Sequence, residues 1–381
     1  MVQLIVYCYA KAMKLKKILL PLMAVFIIGC SSDDAGIPVV EEIDPVDFIV
    51  IGENANSVVQ LTYEASSDSE QSFNLTEEIN VGLDYLTLRQ SGDLISFYSF
   101  ADGAFSLAQK NLRTNQTNTY DDFFANSPGR SVAWGINNDT NVFFGFFGPN
   151  NARNLGIQDV QLEGTDSNDV TIDFDIDFVF QPLLYDDKVY FAYRDNQNNY
   201  KFTFYNTLTR MSGPILNFGP IPISFLVSDV GDIVIIENGT SPNLGNYDPE
   251  SLALLDETPL NFGTALSQGP IPGAVLVGNR FYYARPTIQP ARLFAEPAIF
   301  DLTTQEDFQI DLTGIITELE QEIETDITIT TLVFSATKNV FLVGYRLLQT
   351  GVSGGVLQIS TDGKLIKNVE VRFFPTFFVQ D

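Results

Sequence analysis

Asn141-Val142-Phe143-Phe144, Lys188-Val189-Tyr190-Phe191, Asp232-Ile233-Val234-Ile235 and Arg280-Phe281-Tyr282-Tyr283 are copies of one motif, a polar residue followed by strongly β-prone apolar ones. The motif occurs earlier at Asp93-Leu94-Ile95-Ser96-Phe97 and later at Asn339-Val340-Phe341-Leu342, and Phe48-Ile49-Val50-Ile51 is a seventh copy. From residue 93 onward the copies are spaced 48, 47, 44, 48 and 59 residues apart. An apolar stretch and then a tight turn stand before them, at Ser91-Gly92, Asp139-Thr140, Asp186-Asp187, Val230-Gly231, Gly278-Asn279 and Thr337-Lys338. A third strand and an Asx or Thr turn follow at Tyr205-Asn206-Thr207, Tyr247-Asp248-Pro249, Phe300-Asp301-Leu302 and Ile359-Ser360-Thr361. Each repeat therefore reads as four short antiparallel strands. Units of this size stack radially, so the expected fold is an all-β, seven-bladed β-propeller.

The chain ends supply a second count. The first repeat opens on what is elsewhere a second strand, with no apolar strand before it. The last residues, Phe374-Pro375-Thr376-Phe377-Phe378-Val379-Gln380-Asp381, form an orphan first strand. Joining the two completes the first blade, closes the ring and hides both terminal edges. A two-domain β-sandwich array is the alternative architecture. The 59-residue spacing holds Ile315, Ile316, Leu319 and Ile323 at helical intervals with carboxylates opposite. That segment is expected to be an amphipathic connector packed on a blade edge, with a partner-docking helix as the other option.

Met13-Lys14-Leu15-Lys16-Lys17 is a basic start, followed by eleven apolar residues from Ile18 to Ile28, too few to span a bilayer as a helix. Ile27-Ile28-Gly29-Cys30 resembles the lipobox of bacterial lipoproteins, and Ser31-Ser32-Asp33-Asp34 resembles the surface-export signal of Bacteroidota lipoproteins. Together with the repeats, the chain resembles the propeller surface lipoproteins of that group. The resemblance implies a signal peptide over 1–29 with the true start at Met13, a lipidated acidic tether over 30–45 and the propeller over 46–381. It also implies an outer-membrane, surface-exposed location anchored through lipid on Cys30, and a TonB-dependent transporter as a partner.

Composition narrows the chemistry. The chain has 48 acidic and 21 basic residues, a net charge of −27, which deepens to −31 once residues 1–29 and their four lysines are removed. So negative a body repels nucleic acid, which is excluded as a partner. There is no His, and Cys8 and Cys30 are the two cysteines. Histidine-based triads, His-ligated metals and thiol nucleophiles other than Cys30 are thereby excluded. The expectation is a chain that is not an enzyme and has no cofactor or metal. A carboxylate-based glycoside hydrolase or lyase and a structural or adhesive module are the rivals.

Two side-chain sets stand out. Asp173-Phe174-Asp175-Ile176-Asp177, read as a strand, would line three carboxylates along one face about 7 Å apart, a spacing that suits calcium less well than it suits a solvated acidic face, because no loop Gly or distal Glu follows. Scarce arginines are more telling. In a propeller, Arg130, Arg153, Arg194, Arg285, Arg292, Arg346 and Arg372 map to the face where second strands end, and Arg89, Arg113, Arg210 and Arg280 to the other. Arg194, Arg285 and Arg346 also close the stretches Phe191-Ala192-Tyr193-Arg194, Tyr282-Tyr283-Ala284-Arg285 and Val343-Gly344-Tyr345-Arg346. Guanidinium forks beside tyrosines suit anionic or aromatic ligands. Arg130, Arg194, Arg285, Arg346, Tyr193 and Tyr345 are the expected ligand-binding residues, capturing a small anionic ligand or glycan; individual ion pairs with local acids are the competing use.

Overall fold

The computed structural model describes residues 43–381 apart from 126–128, 149–151, 165, 262–265, 289, 350–351 and 381. The described strands form seven sheets. Blade 2 shows the plan: Thr87–Ser91 innermost, then Leu94–Ala101, Ala104–Asn111 and Thr117–Ala125, all antiparallel. Blades 3, 6 and 7 repeat it. Blade 4 breaks its first strand into Ile176–Val179 and Leu183–Tyr185, and blade 5 adds a short parallel strand, Gly269–Pro270, beside its innermost one.

Blade 1 is completed from both chain ends. Phe374–Phe378 pairs antiparallel with Phe48–Glu53 in the register Val50↔Phe378 and Glu53↔Phe374. The closure expected from the sequence is thus the one found, and the sandwich alternative falls.

Local chemistry sets each hairpin. The turns between first and second strands need a left-handed residue, supplied at Gly92, Asp186, Gly231, Gly278 and Asn339 with φ of 55, 48, 92, 54 and 56°. On the turns after third strands, an Asx side chain accepts from two backbone amides: Asn111 from Arg113 and Thr114, Asn206 from Leu208 and Thr209, Asp248 from Glu250 and Ser251, Asp301 from Thr303 and Thr304.

Second and third strands are largely buried, and side chains of the inner strands fill the gaps between blades. Tyr282 of blade 6 stacks on Phe334 of blade 7 at 3.7 Å, and Trp134 of blade 3 meets Phe191 of blade 4 at 5.5 Å. Three second strands carry a glycine where the innermost strand bulges. At Gly145 an added Cβ would lie 2.3 Å from the Trp134 ring, and at Gly344 it would lie 2.7 Å from Pro375.

Among the described residues, two helices interrupt the strands. α1 (Leu75–Ile79) is capped by Asn74, and its Glu78 reaches the fully buried Lys110 of blade 2 at 2.8 Å. α2 (Thr313–Ile323) links blades 6 and 7 and buries Ile316 and Leu319 in their shared core, with Ile315 and Ile323 packed alongside. It is the packed connector rather than a free docking helix.

Candidate ligand-binding face

Alternation along a strand decides which way each expected residue looks. Tyr193, Tyr283 and Tyr345 all point into the gap shared with the preceding blade. Arg194 and Arg346 come one residue after their tyrosines and so project from the opposite side, toward the following blade. Arg285 comes two residues after Tyr283 and projects from the same side as that tyrosine. Arg194 and Arg285 therefore flank blade 5 from either side, while Arg346 looks toward blade 1. The three share a face of the ring but do not converge.

Their charges are also spoken for. Arg194 meets Asp177 at 2.5 Å, and Arg153 meets the other oxygen of the same carboxylate at 2.9 Å. These bonds hold the Asp177 carboxyl below the usual carboxylate range. Arg285 meets Asp307 at 2.8 Å. Arg130 meets Asp169 at 2.5 Å, donates to Gln158 at 3.0 Å and lies over the Phe146 ring at 4.5 Å. Arg346 is exposed and has no ion pair among the described residues. The competing use of arginine, local pairing, prevails at three of the four positions.

The tyrosines are structural. Tyr193 is fully buried and donates to Asp173 at 3.1 Å; burial first, and then the Asp173 charge, push its hydroxyl well above the usual tyrosine range. Tyr345 donates to Asn368 at 3.0 Å and is pushed up to about 12, chiefly by burial. Tyr283 donates to Asp307, the carboxylate that Arg285 also holds. Neither expected tyrosine presents its hydroxyl to a ligand.

The aspartate run departs from its expected geometry. Asp173 ends the fourth strand of blade 3, Asp175 turns with φ of 58°, and Ile176 starts blade 4, so the three carboxylates do not share a strand face. Lys201 sits between Asp173 at 2.8 Å and Asp195 at 3.3 Å. Among the described residues, no group of three or more acidic side chains is placed to hold a metal.

A cleft does open at one expected residue. Beside Arg285 lies a cavity of about 330 Å³ whose lining includes Arg285, Ile288, Arg292, Leu293, Glu296 and Gln309. Glu296 stands directly across the ladder from Arg285, is 7% exposed and accepts from Gln309. Arg292 is itself paired with Glu320 of α2, and Ile288 is 92% exposed at the rim. The cleft therefore offers charged and amide hydrogen-bonding groups beside an apolar wall, with no surplus positive charge. Glu296 and Gln309 were invisible in the sequence because 48 acids give no reason to single out one.

Fold and face define a closed seven-bladed propeller with polar strand ends, an architecture that fits a binding or structural role. No protein-family model matches the chain, and no curated protein is similar to it in sequence. Among solved structures it is similar to puromycin hydrolase, with a TM-score of 0.50 at 13% identity over 87% of this chain and 55% of that one. A serine-to-alanine mutant of that hydrolase complexed with PGG gives 0.52 at 12% identity, over 87% and 54%. The β-propeller domain of the Trilobed protease from Pyrococcus furiosus gives 0.47 at 9% identity, over 85% of this chain and 99% of that one. The chain spans about half the length of the puromycin hydrolase it matches. This likeness overturns the expectation that the chain is not an enzyme, because enzymes are built on the same architecture. Lack of histidine removes particular triads and leaves other chemistries open, so it never had the reach that the expectation gave it.

Proposed function

We propose that this chain is a lipid-tethered surface propeller that binds a small polyhydroxylated ligand, such as a glycan fragment, in the Arg285 cleft of blade 6. The observation that carries this reading is the cleft itself: a cavity of about 330 Å³ with the 7%-exposed Glu296 facing Arg285. Sugars need donors and acceptors of both kinds around an apolar wall, and Arg285, Glu296 and Gln309 beside Ile288 and Leu293 provide them. An anionic ligand is disfavoured, since Arg130, Arg194 and Arg285 already hold carboxylates that it would have to displace. Binding of a glycan panel by the purified protein, with and without Glu296→Gln, tests this. A glycan that binds the parent and binds the variant at least tenfold more weakly supports the cleft, whereas equal binding places the ligand elsewhere.

The tether rests on the lipobox and acidic run, which lie outside the described residues. Cys30→Ala is expected to release the protein from the membrane fraction and abolish labelling by fatty acid. Retention with labelling would refute the anchor. A TonB-dependent transporter as the receiver of the ligand belongs to the same reading, and co-purification with such a transporter checks it.

A further inference from the structure

Arg89 is placed unlike any other arginine of the chain. The sequence map puts it on the face with Arg113, Arg210 and Arg280, but it is the third of five residues in Thr87–Ser91, the innermost strand of blade 2. From there its side chain reaches residues of blades 3 and 4. Nε donates to the Gly135 carbonyl on the innermost strand of blade 3 at 3.4 Å, and Nη2 donates to the Gln181 side-chain oxygen in the broken innermost strand of blade 4. Both acceptors are neutral. The other ring arginines with half-buried side chains hold carboxylates: Arg130 with Asp169, Arg194 with Asp177 and Arg285 with Asp307. Arg89 has no ion pair among the described residues, in a chain where acids outnumber bases by more than two to one. Burial also disfavours its charged form.

Guanidinium has five donors, and the two bonds named use Nε–H and one Nη2–H. The end-on edge, formed by Nη1–H and the second Nη2–H, is left without a partner among the described residues. That edge matches the two oxygens of a carboxylate in a bidentate pair. The geometry points to a small-carboxylate site where blades 2, 3 and 4 meet, with Arg89 as its fork and the Gln181 amide beside it. Because the arginine itself bridges three blades, the proposal is confined to a carboxylate of formate or acetate size. A negative body repels free anions, so a cation with no carboxylate of its own is the place where one would be retained.

Titration of the whole protein with ¹³C-formate tests the site by NMR line broadening. The parent is expected to broaden the formate signal saturably, with competition by acetate. Arg89→Gln should abolish that broadening, and Arg346→Gln, which removes an exposed arginine at the rim, should leave it unchanged. A filled site also stabilises the fold, by about 2 °C in melting temperature at tenfold excess over Kd. Should Arg89→Gln fail to fold, Arg89→Lys keeps the charge but loses the fork, and at least threefold weaker formate binding is expected. Absence of saturable broadening in the parent, or broadening by either Arg89 variant equal to the parent, overturns the site.

Discussion

Removing residues 374–381 takes away the innermost strand of blade 1 and leaves Phe48–Glu53 with an open edge facing the channel. The loss can be estimated from what the strand contributes. Phe378 is 1% exposed and packs edge-on against Phe48 at 6.3 Å, within the core that joins blade 1 to blade 7. A buried Phe is worth about 3–5 kcal/mol. The half-buried Phe374 and Phe377 and the backbone bonds of the ladder, each about 1 kcal/mol net, bring the total to roughly 10 kcal/mol. Unfolding entropy of about 2.1 cal/mol/K per residue over a body of roughly 340 residues gives about 0.7 kcal/mol/K, so the melting temperature should fall by about 14 °C. Differential scanning calorimetry measures it. The end of the last strand lies beside the start of the second, with the Val379 amide bonded to the Ile49 carbonyl. Moving 374–380 ahead of Val46 through a short glycine-rich turn should therefore rebuild the same sheet and recover most of the loss. A truncated protein that melts like the parent, or a transplanted strand that recovers nothing, would refute closure by this strand.

Three further outcomes follow from packing and titration. Gly145→Val should cost about 3 kcal/mol or more, read as a lower denaturation midpoint, because its Cβ lands 2.3 Å from the Trp134 ring; an unchanged midpoint would mean that the ring can move aside. Glu78→Gln should cost about 2–3 kcal/mol by leaving the fully buried Lys110 uncompensated, and Lys110→Met added to it should restore most of that; no restoration would show that the charge is not the cause. Without histidine, stability should be nearly flat between about pH 6 and 9. It should fall at higher pH, since burial holds Tyr63, Tyr205 and Tyr345 at about 12 against an ordinary value of 10.0. A raised folded value means the stabilisation is complete below pH 10 and is lost as pH climbs through 12; denaturant midpoints that stay constant up to pH 12 would contradict it.

How far the sequence carried these conclusions depended on whether a feature was local. A continuous run of β-prone apolar residues between two turns writes its own boundaries, so Lys188-Val189-Tyr190-Phe191 and its six counterparts were legible, and the unmatched first strand at Phe374 could be assigned by counting. The helix over Thr313–Ile323 was legible for the same reason, since its period sits within eleven residues. The aspartate run was not, because Asp175 takes a left-handed turn whose cause is the change of blade, not the residues beside it.

Side-chain direction is where the reading of the arginines went astray. Aligned by their ends, Tyr193-Arg194, Tyr283-Ala284-Arg285 and Tyr345-Arg346 resemble one site repeated three times. Strand alternation makes one residue of difference a reversal of face. The extra Ala284 turns Arg285 onto the carboxylate that Tyr283 already holds, Asp307, and opens the cleft behind it. In blade 7 the residue that accepts from the tyrosine is Asn368, which brings no negative charge to that strand end, and Arg346 is left without an ion pair among the described residues. Arg89 was misplaced for a different reason. Its partners, Gly135 and Gln181, come from two other blades, 46 and 92 residues away. Only the stacking of blades 2, 3 and 4 brings those positions together, so this contact had no counterpart in any single repeat.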